Sequence, residues 1–234
     1  LAVAAIGFFI HFSILSKHLS HHKVFSIESS NISSMAWDKD DLWAGDWLKE
    51  TVYQYTFLDN ELKLNKKHKL AGVHISGIAV SDGIIYIADS WKKNIQKRKI
   101  DEELTLIKKY PFAEEIINIF FDGEYLWSCD SNGTLLVHRM DDSLSVISSF
   151  KLSNHPDQIF KQKKNFWSAT SSGKKIYKHK LDDKLSIVQG YIIKDLSGDS
   201  PLSSFSWKDG KLWVVRDGIK EITQMGINYL KAED

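Results

Sequence analysis

Cysteine is nearly absent. Cys129 is the single one among 234 residues, which excludes an intramolecular disulfide framework and any cysteine-rich zinc or iron–sulfur site. Proline is scarce at three and glycine modest at 13, so the chain is neither collagen-like nor dominated by linkers. Neither sign of charge prevails: Lys+Arg is 31 against Asp+Glu 30, a formal net charge of +1. A general nucleic-acid binder needs a strongly basic face to neutralise phosphates, so no nucleic-acid partner is expected. There is no GxSxG elbow, no P-loop and no GxGxxG, and no HxxxH partner accompanies His74 or His155, so the common local signatures of hydrolases and nucleotide binders are missing. What is present is a 43% hydrophobic, 26% charged composition, enough to build a core and too apolar for disorder. Eight tryptophans stand out, and they are periodic.

Residues 1–15 (LAVAAIGFFIHFSIL) carry no formal charge and end before a weakly basic stretch with Lys17, His18, His21, His22 and Lys23. Fifteen helical residues reach about 22 Å, short of the ~30 Å hydrocarbon core, although snorkelling lysines would help such a helix span. Three readings are open: an uncleaved membrane anchor, a cleaved signal and a soluble helix. No small-x-small cleavage site precedes the charged stretch, so the expectation is an anchor and juxtamembrane linker over residues 1–23, with Phe8, Phe9, Ile10, Phe12, Ile14 and Leu15 facing lipid. It implies a single-pass membrane protein with its remaining domain on the extracytoplasmic, periplasmic side.

Beyond residue 23 the sequence repeats. An aromatic anchor closes a strand-like run at Trp43, Tyr86, Trp127, Trp167 and Trp213, at spacings of 43, 41, 40 and 46 residues. Nine residues after each anchor stands an aliphatic: Val52, Ile95, Leu136, Ile176 and Ile222. The first four units share a turn, LDNEL, IDEEL, MDDSL and LDDKL. Each unit decodes into four short strands, a to d, with an Asp/Gly-rich hairpin turn between a and b. Four antiparallel strands in ~40–45 residues make a β-propeller blade. The expected fold is all-β, a single five-bladed propeller over residues 24–234 preceded by the hydrophobic helix. The repeats run over about 32–70, 75–112, 116–152, 156–193 and 202–227. The fifth repeat lacks a strand d, and residues 24–29 (VFSIES) are expected to supply it and close the ring.

The hydrophobic-Trp/Tyr-x-x-Asp strand after an Asp-Gly turn resembles the propeller group typified by NHL, SMP-30-like and virginiamycin B lyase-like proteins. LWAGD, IYIAD and LWSCD match, whereas FWSAT and LWVVR depart at the Asp position. The resemblance covers residues 32 to about 226. It implies the fold and leaves activity open, because the group includes lactonases, lyases and interaction platforms. Five-bladed rings also include the propeller-type glutaminyl cyclases, but that family's Gln-Gly-Leu and Glu-Ser-Thr-Gly signatures are absent.

Candidate residues follow from where loops converge. The b–c loops bring Asp46, Asp89 and Asp130, each three residues after its anchor, to one face. They read either as a carboxylate cluster for a hard cation such as Ca²⁺ or as Asx turns serving their own loops. His74 and His155 open d–a loops on the same side and could act on a partner, a proton or a metal. Trp47 and Trp91 fall in b–c loops outside the strand columns, where packing does not demand them, and tryptophan is a common interface anchor. Cys129 reads as core. No catalytic residues and no resident cofactor are assigned. The resulting expectation is a membrane-anchored, non-catalytic accessory or scaffolding subunit. It would touch lipid through the leader and dock other subunits of a membrane complex through Trp47, Trp91, His74 and His155. The alternatives are a metal-dependent hydrolase or lyase, with Asp46, Asp89 and Asp130 as metal candidates, and a ligand-binding sensor using the channel mouth.

Overall fold

The computed structural model describes residues 22–162, 164–170, 175–194, 196 and 199–233. Strand β1 (Lys23–Ser26) comes first. Blade 1 follows as β2 (Ile32–Asp38), β3 (Asp41–Asp46), β4 (Thr51–Leu58) and β5 (Glu61–Lys69), and blade 2 as β6 (Ile75–Ser81), β7 (Ile84–Asp89), β8 (Asn94–Lys99) and β9 (Leu106–Pro111). Blade 3 is β10 (Ile116–Phe121), β11 (Tyr125–Asp130), β12 (Thr134–Arg139) and β13 (Val146–Lys151). Blade 4 is β14 (Gln158–Gln162), β15 (Asn165–Ala169), β16 (Lys175–His179) and β17 (Ile187–Ile193). Blade 5 contributes β18 (Leu202–Lys208), β19 (Lys211–Arg216) and β20 (Glu221–Met225), and β21 (Leu230–Ala232) ends the described chain. The five sheets are antiparallel meanders, and the first strand of each blade touches the first strands of its neighbours, so these strands surround a central axis.

The aromatic repeat is the glue between blades. Each anchor lies in the apolar cluster shared with the next blade: Trp43 between blades 1 and 2, Tyr86 between 2 and 3, Trp127 between 3 and 4, Trp167 between 4 and 5, and Trp213 between 5 and 1. All five are buried. Burying a large aromatic is worth several kcal/mol, which explains why the chain repeats this residue type where sheet faces meet. Hydrogen bonds add stitches near the axis. Ser33 Oγ donates to the Ile75 carbonyl at 2.6 Å and Ser76 Oγ to the Ile116 carbonyl at 2.6 Å. Gly77 permits a close approach of backbone to backbone: a Cβ there would stand 2.6 Å from the Ile119 amide nitrogen.

The shared LDxxL turn has a second role. Its final leucine takes a left-handed backbone at Leu104, Leu144 and Leu185 (φ 46–49°) while burying its side chain. The turn aspartates hold the bend by accepting backbone N–H groups: Asp101 from Thr105, Asp141 from Ser143 and Ser145, and Asp182 from Lys184 and Ser186. The leucine carbonyls are in turn met by Arg98, His138 and His179. In the two histidine cases Nδ1 faces a carbonyl and so carries the proton, which leaves Nε2 to accept from Ser128 or Ser168 Oγ at 2.8 Å. These buried histidines are neutral structural links.

The ring closes through its N-terminal strand. β1 pairs with β20, with Phe25 opposite Ile222, and so completes blade 5 with a fourth strand. Phe25 stacks on Trp213 at 5.2 Å and meets Phe57 edge-on at 5.7 Å. Beyond the strand, the Ile27 amide donates to the Lys220 carbonyl and the Glu28 amide to the Tyr55 hydroxyl, tying blade 5 to blade 1.

Several expectations need correction. The fold is an all-β propeller without the preceding anchor helix as a demonstrated element, because no helix among the described residues is long and apolar enough to cross a membrane. The single-pass, extracytoplasmic placement is withdrawn on the same finding. Phe8, Phe9, Ile10, Phe12, Ile14 and Leu15 lie outside the described residues. Lys23, assigned to a juxtamembrane linker, instead begins β1 opposite Gln224, because strand pairing extends one residue further than the apolar pattern suggested. The strand expected from Pro156 begins at Gln158, after a proline that cannot donate to the ladder. The C-terminal residues are not a mere tail: β21 adds to the outer edge of β17, giving blade 4 a fifth strand.

Candidate functional site

The loops joining the second and third strands of each blade, and those leading into the next blade, share one face of the ring. Asp46, Asp89 and Asp130 are all buried there. Asp46 Oδ1 accepts the Leu48 and Lys49 amides at 3.0 and 2.7 Å, and its Oδ2 accepts from Ser29 Oγ. Asp89 Oδ1 accepts the Lys92 and His74 amides, each at 3.3 Å, while Oδ2 faces Gln96 Nε2 at 3.3 Å. Asp130 Oδ1 accepts the Asn132 and Thr134 amides at 2.9 and 2.8 Å. Each carboxylate thus fixes its own loop, and among the described residues no three His, Cys, Asp or Glu side chains assemble into a group able to hold a metal ion.

The loops so fixed present aromatics. Trp47 comes from blade 1 and Trp91 from blade 2, and the His74 ring lies between them. His74 stacks on Trp91 with centroids 4.1 Å apart and planes 10° from parallel, and it meets Trp47 at 5.3 Å and 60°. Its Nδ1 is 2.7 Å from Ser90 Oγ, and its carbonyl accepts the Ser90 amide. Burial between the rings lowers the His74 pKa although Asp89 and Glu115 pull the other way. The imidazole is therefore neutral at pH 7, suited to stacking more than to carrying charge. Trp91 remains 73% exposed and Trp47 36%, with Leu48 beside them 60% exposed. The aspartate column recurs in blades 1 to 3, yet the third loop carries Asn132 where the second carries Trp91. The tryptophans are therefore not needed to build the loop.

His155 does not join this cluster. It is exposed, with φ of 41°, and lies against Gly133, where a Cβ would stand 3.1 Å from the His155 Cα. Cys129 is fully buried, and burial pushes its thiol up to about 12, so it is no nucleophile at neutral pH. Arg98, on the third strand of blade 2 among Lys97 and Lys99, is turned inward to Gln96 Oε1 and the Leu104 carbonyl.

At the channel mouth on the same face, polar groups cross the axis. Gln158 Nε2 donates to the Ser33 carbonyl at 3.2 Å, and Asn118 Nδ2 donates to Gln158 Oε1 at 3.1 Å. Above them opens a cavity of about 290 Å³ whose walls include Ser33, Trp47, Asp157, Gln158, Ser203 and Asp217. Sequence reasoning missed Gln158 and Ser203. The available signal was the column just inside each innermost strand, where Ser33, Ser76 and Ser203 break the apolar pattern.

No family model matches the chain, and no curated protein matches it in sequence. Its likenesses are structural. The glutaminyl cyclase of Myxococcus xanthus superposes with a TM-score of 0.72 at 8% identity, over 91% of this chain and 96% of that one. The WD40 β-propeller domain of Doa1 gives 0.55 at 13% identity, over 84% of this chain and 64% of that one. The chain has a five-bladed β-propeller fold. These likenesses do not single out the NHL and SMP-30-like group, and at such identities they speak for architecture alone.

Proposed function

We propose that this propeller is a non-catalytic interaction module that docks a partner protein through its loop face, with Trp91, Trp47 and His74 as the anchor. The observation that carries this reading is the exposure of two tryptophans that the blade does not need, held rigid by buried aspartates and a stacked imidazole. Rigid, exposed aromatics lose little entropy on association and dominate interface energetics. The metal-dependent alternative is less well supported, because the carboxylates it needs already accept hydrogen bonds from their own loops.

The test is affinity purification of the full chain from its native cells beside Trp91→Ala, followed by binding measurements with the purified partner. The expected result is one stoichiometric protein retained by the wild type and at least tenfold weaker with Trp91→Ala, both chains unfolding alike. A wild-type chain that purifies alone, or a partner bound equally by the variant, would overturn the reading. A second reading, a small-molecule site at the channel mouth, is favoured by the 290 Å³ cavity beside Trp47. Because the Myxococcus neighbour is a glutaminyl cyclase, cyclisation of an N-terminal glutamine is the first activity to assay under it.

A further inference from the structure

The opposite end of the channel has a different chemistry. One layer there consists of Ala36, Ala79, Phe120, Phe160 and Ser206, each paired across its hairpin with the aromatic anchor of its blade. Two blades place a phenylalanine in this layer and three place a small residue. The Ser206 hydroxyl is occupied, accepting from Trp37 Nε1 at 3.1 Å. The mismatch leaves a cavity of about 140 Å³ walled by Ala36, Ala79, Trp37, Phe120, Phe160 and Trp207, among other apolar residues, with no charged or hydroxyl-bearing side chain in its lining. Trp37, Phe121 and Phe160 are only half-buried, so the cavity has a way in.

Protein interiors rarely leave such space, and a void of this size forfeits contacts on every wall. The side chains of its walls offer water no partner, and only the backbone edges of the innermost strands do; cavities of about 150 Å³ with apolar side-chain walls take up benzene or xenon. Part of the wall is aromatic and packs on itself, Phe120 on Phe160 at 5.8 Å and 31° and Phe160 on Trp207 at 6.1 Å and 32°, so an occupant lies against these rings rather than between them. The nearest cations are engaged elsewhere. Lys161 pairs with Asp122 and covers Trp127, and Lys208 pairs with Asp40 and covers Trp37. An anionic headgroup thus finds no free partner at the rim, and the site favours a neutral occupant.

We propose that this cavity binds one small neutral apolar molecule, an aromatic or branched hydrocarbon of about six to eight carbons. It is independent of the loop face at the other end of the channel. The experiment titrates the full chain with toluene, reading tryptophan fluorescence and the shift in unfolding temperature. It compares the wild type with Ala79→Leu and Ala36→Leu, each of which fills the void, and with Leu106→Ala on an outer strand. The wild type and Leu106→Ala are expected to bind one toluene with equal affinity, and each leucine variant that unfolds cooperatively at least tenfold more weakly. No saturable binding by the wild type, or equal binding by a folded leucine variant, overturns the proposal. Crystals of the wild type under xenon pressure give a reading that needs no variant: xenon between Ala36 and Ala79 supports the site, and its absence there overturns it.

Discussion

Removing the Phe25 ring should open the propeller at its seam. Phe25 is 8% exposed and belongs to the cluster joining blades 5 and 1, where it touches Trp213 and Phe57. β1 is only four residues long, so its ladder to β20 has few hydrogen bonds, each worth about 1 kcal/mol net. The buried ring therefore supplies the larger share. Phenylalanine to alanine in a core costs about 3–5 kcal/mol, against a total stability of about 5–15 kcal/mol. With a urea dependence near 3 kcal/mol per molar, Phe25→Ala should lower the unfolding midpoint by about 1 M or more. Val24→Ala, at a position 49% exposed on the same strand, should stay within about 0.5 kcal/mol of the wild type. Hydrogen exchange locates the effect: amides of β20 should lose protection before those of blade 3. A loss under about 1 kcal/mol, or β20 protection equal to that of the wild type, would refute the idea that an apolar plug holds the ring shut.

Two further outcomes follow from the packing. Gly77→Ala should cost about 1–3 kcal/mol, because its Cβ would meet backbone of blade 3, which cannot step aside as a flexible side chain could; denaturant titration checks this. His138 and His179 are buried neutral, and desolvation holds both below the ordinary imidazole value. Unfolding restores that value near pH 6.5, so the unfolded chain takes up protons the folded one refuses. Their contribution is present above pH ~6.5 and is lost as pH falls toward the folded values, by up to about 1.4 kcal/mol per pH unit for each histidine. Urea midpoints between pH 7.5 and 5 should show this slope, reduced in His138→Gln; a flat profile would count against it.

The propeller was legible in the sequence because its blades are local meanders. Neighbouring strands pair through short turns, so the aromatic anchors, the plus-nine aliphatics and the LDxxL turns recur at a nearly regular period, and most mark a contact made with the adjacent blade; in blade 3 it is Leu135 and not Leu136 that enters the shared cluster. The closing strand was legible for a related reason: a fifth unit without a fourth strand leaves an unpaired edge, and residues 24–29 had the pattern to cover it. Composition alone could not assign the apolar leader a place in the fold, since the same fifteen residues suit several readings. The candidate site was half legible. Trp47, His74 and Trp91 stood out singly as residues the repeat did not require, but their stacking is decided by the angle at which blades 1 and 2 meet. The cavity between Ala36 and Ala79 was invisible in one dimension, because alanine in a strand is unremarkable until five strands converge on one axis. β21 was missed for the same reason: its partner, β17, lies nearly forty residues earlier, and only the closed ring brings that edge within reach. Sequence thus determined the repeating unit and the identity of its contacts, through short-range pairing and periodic burial. Tertiary structure alone decided what lies on the axis and at the loop face, because those surfaces are made by residues from different blades that ring closure brings together.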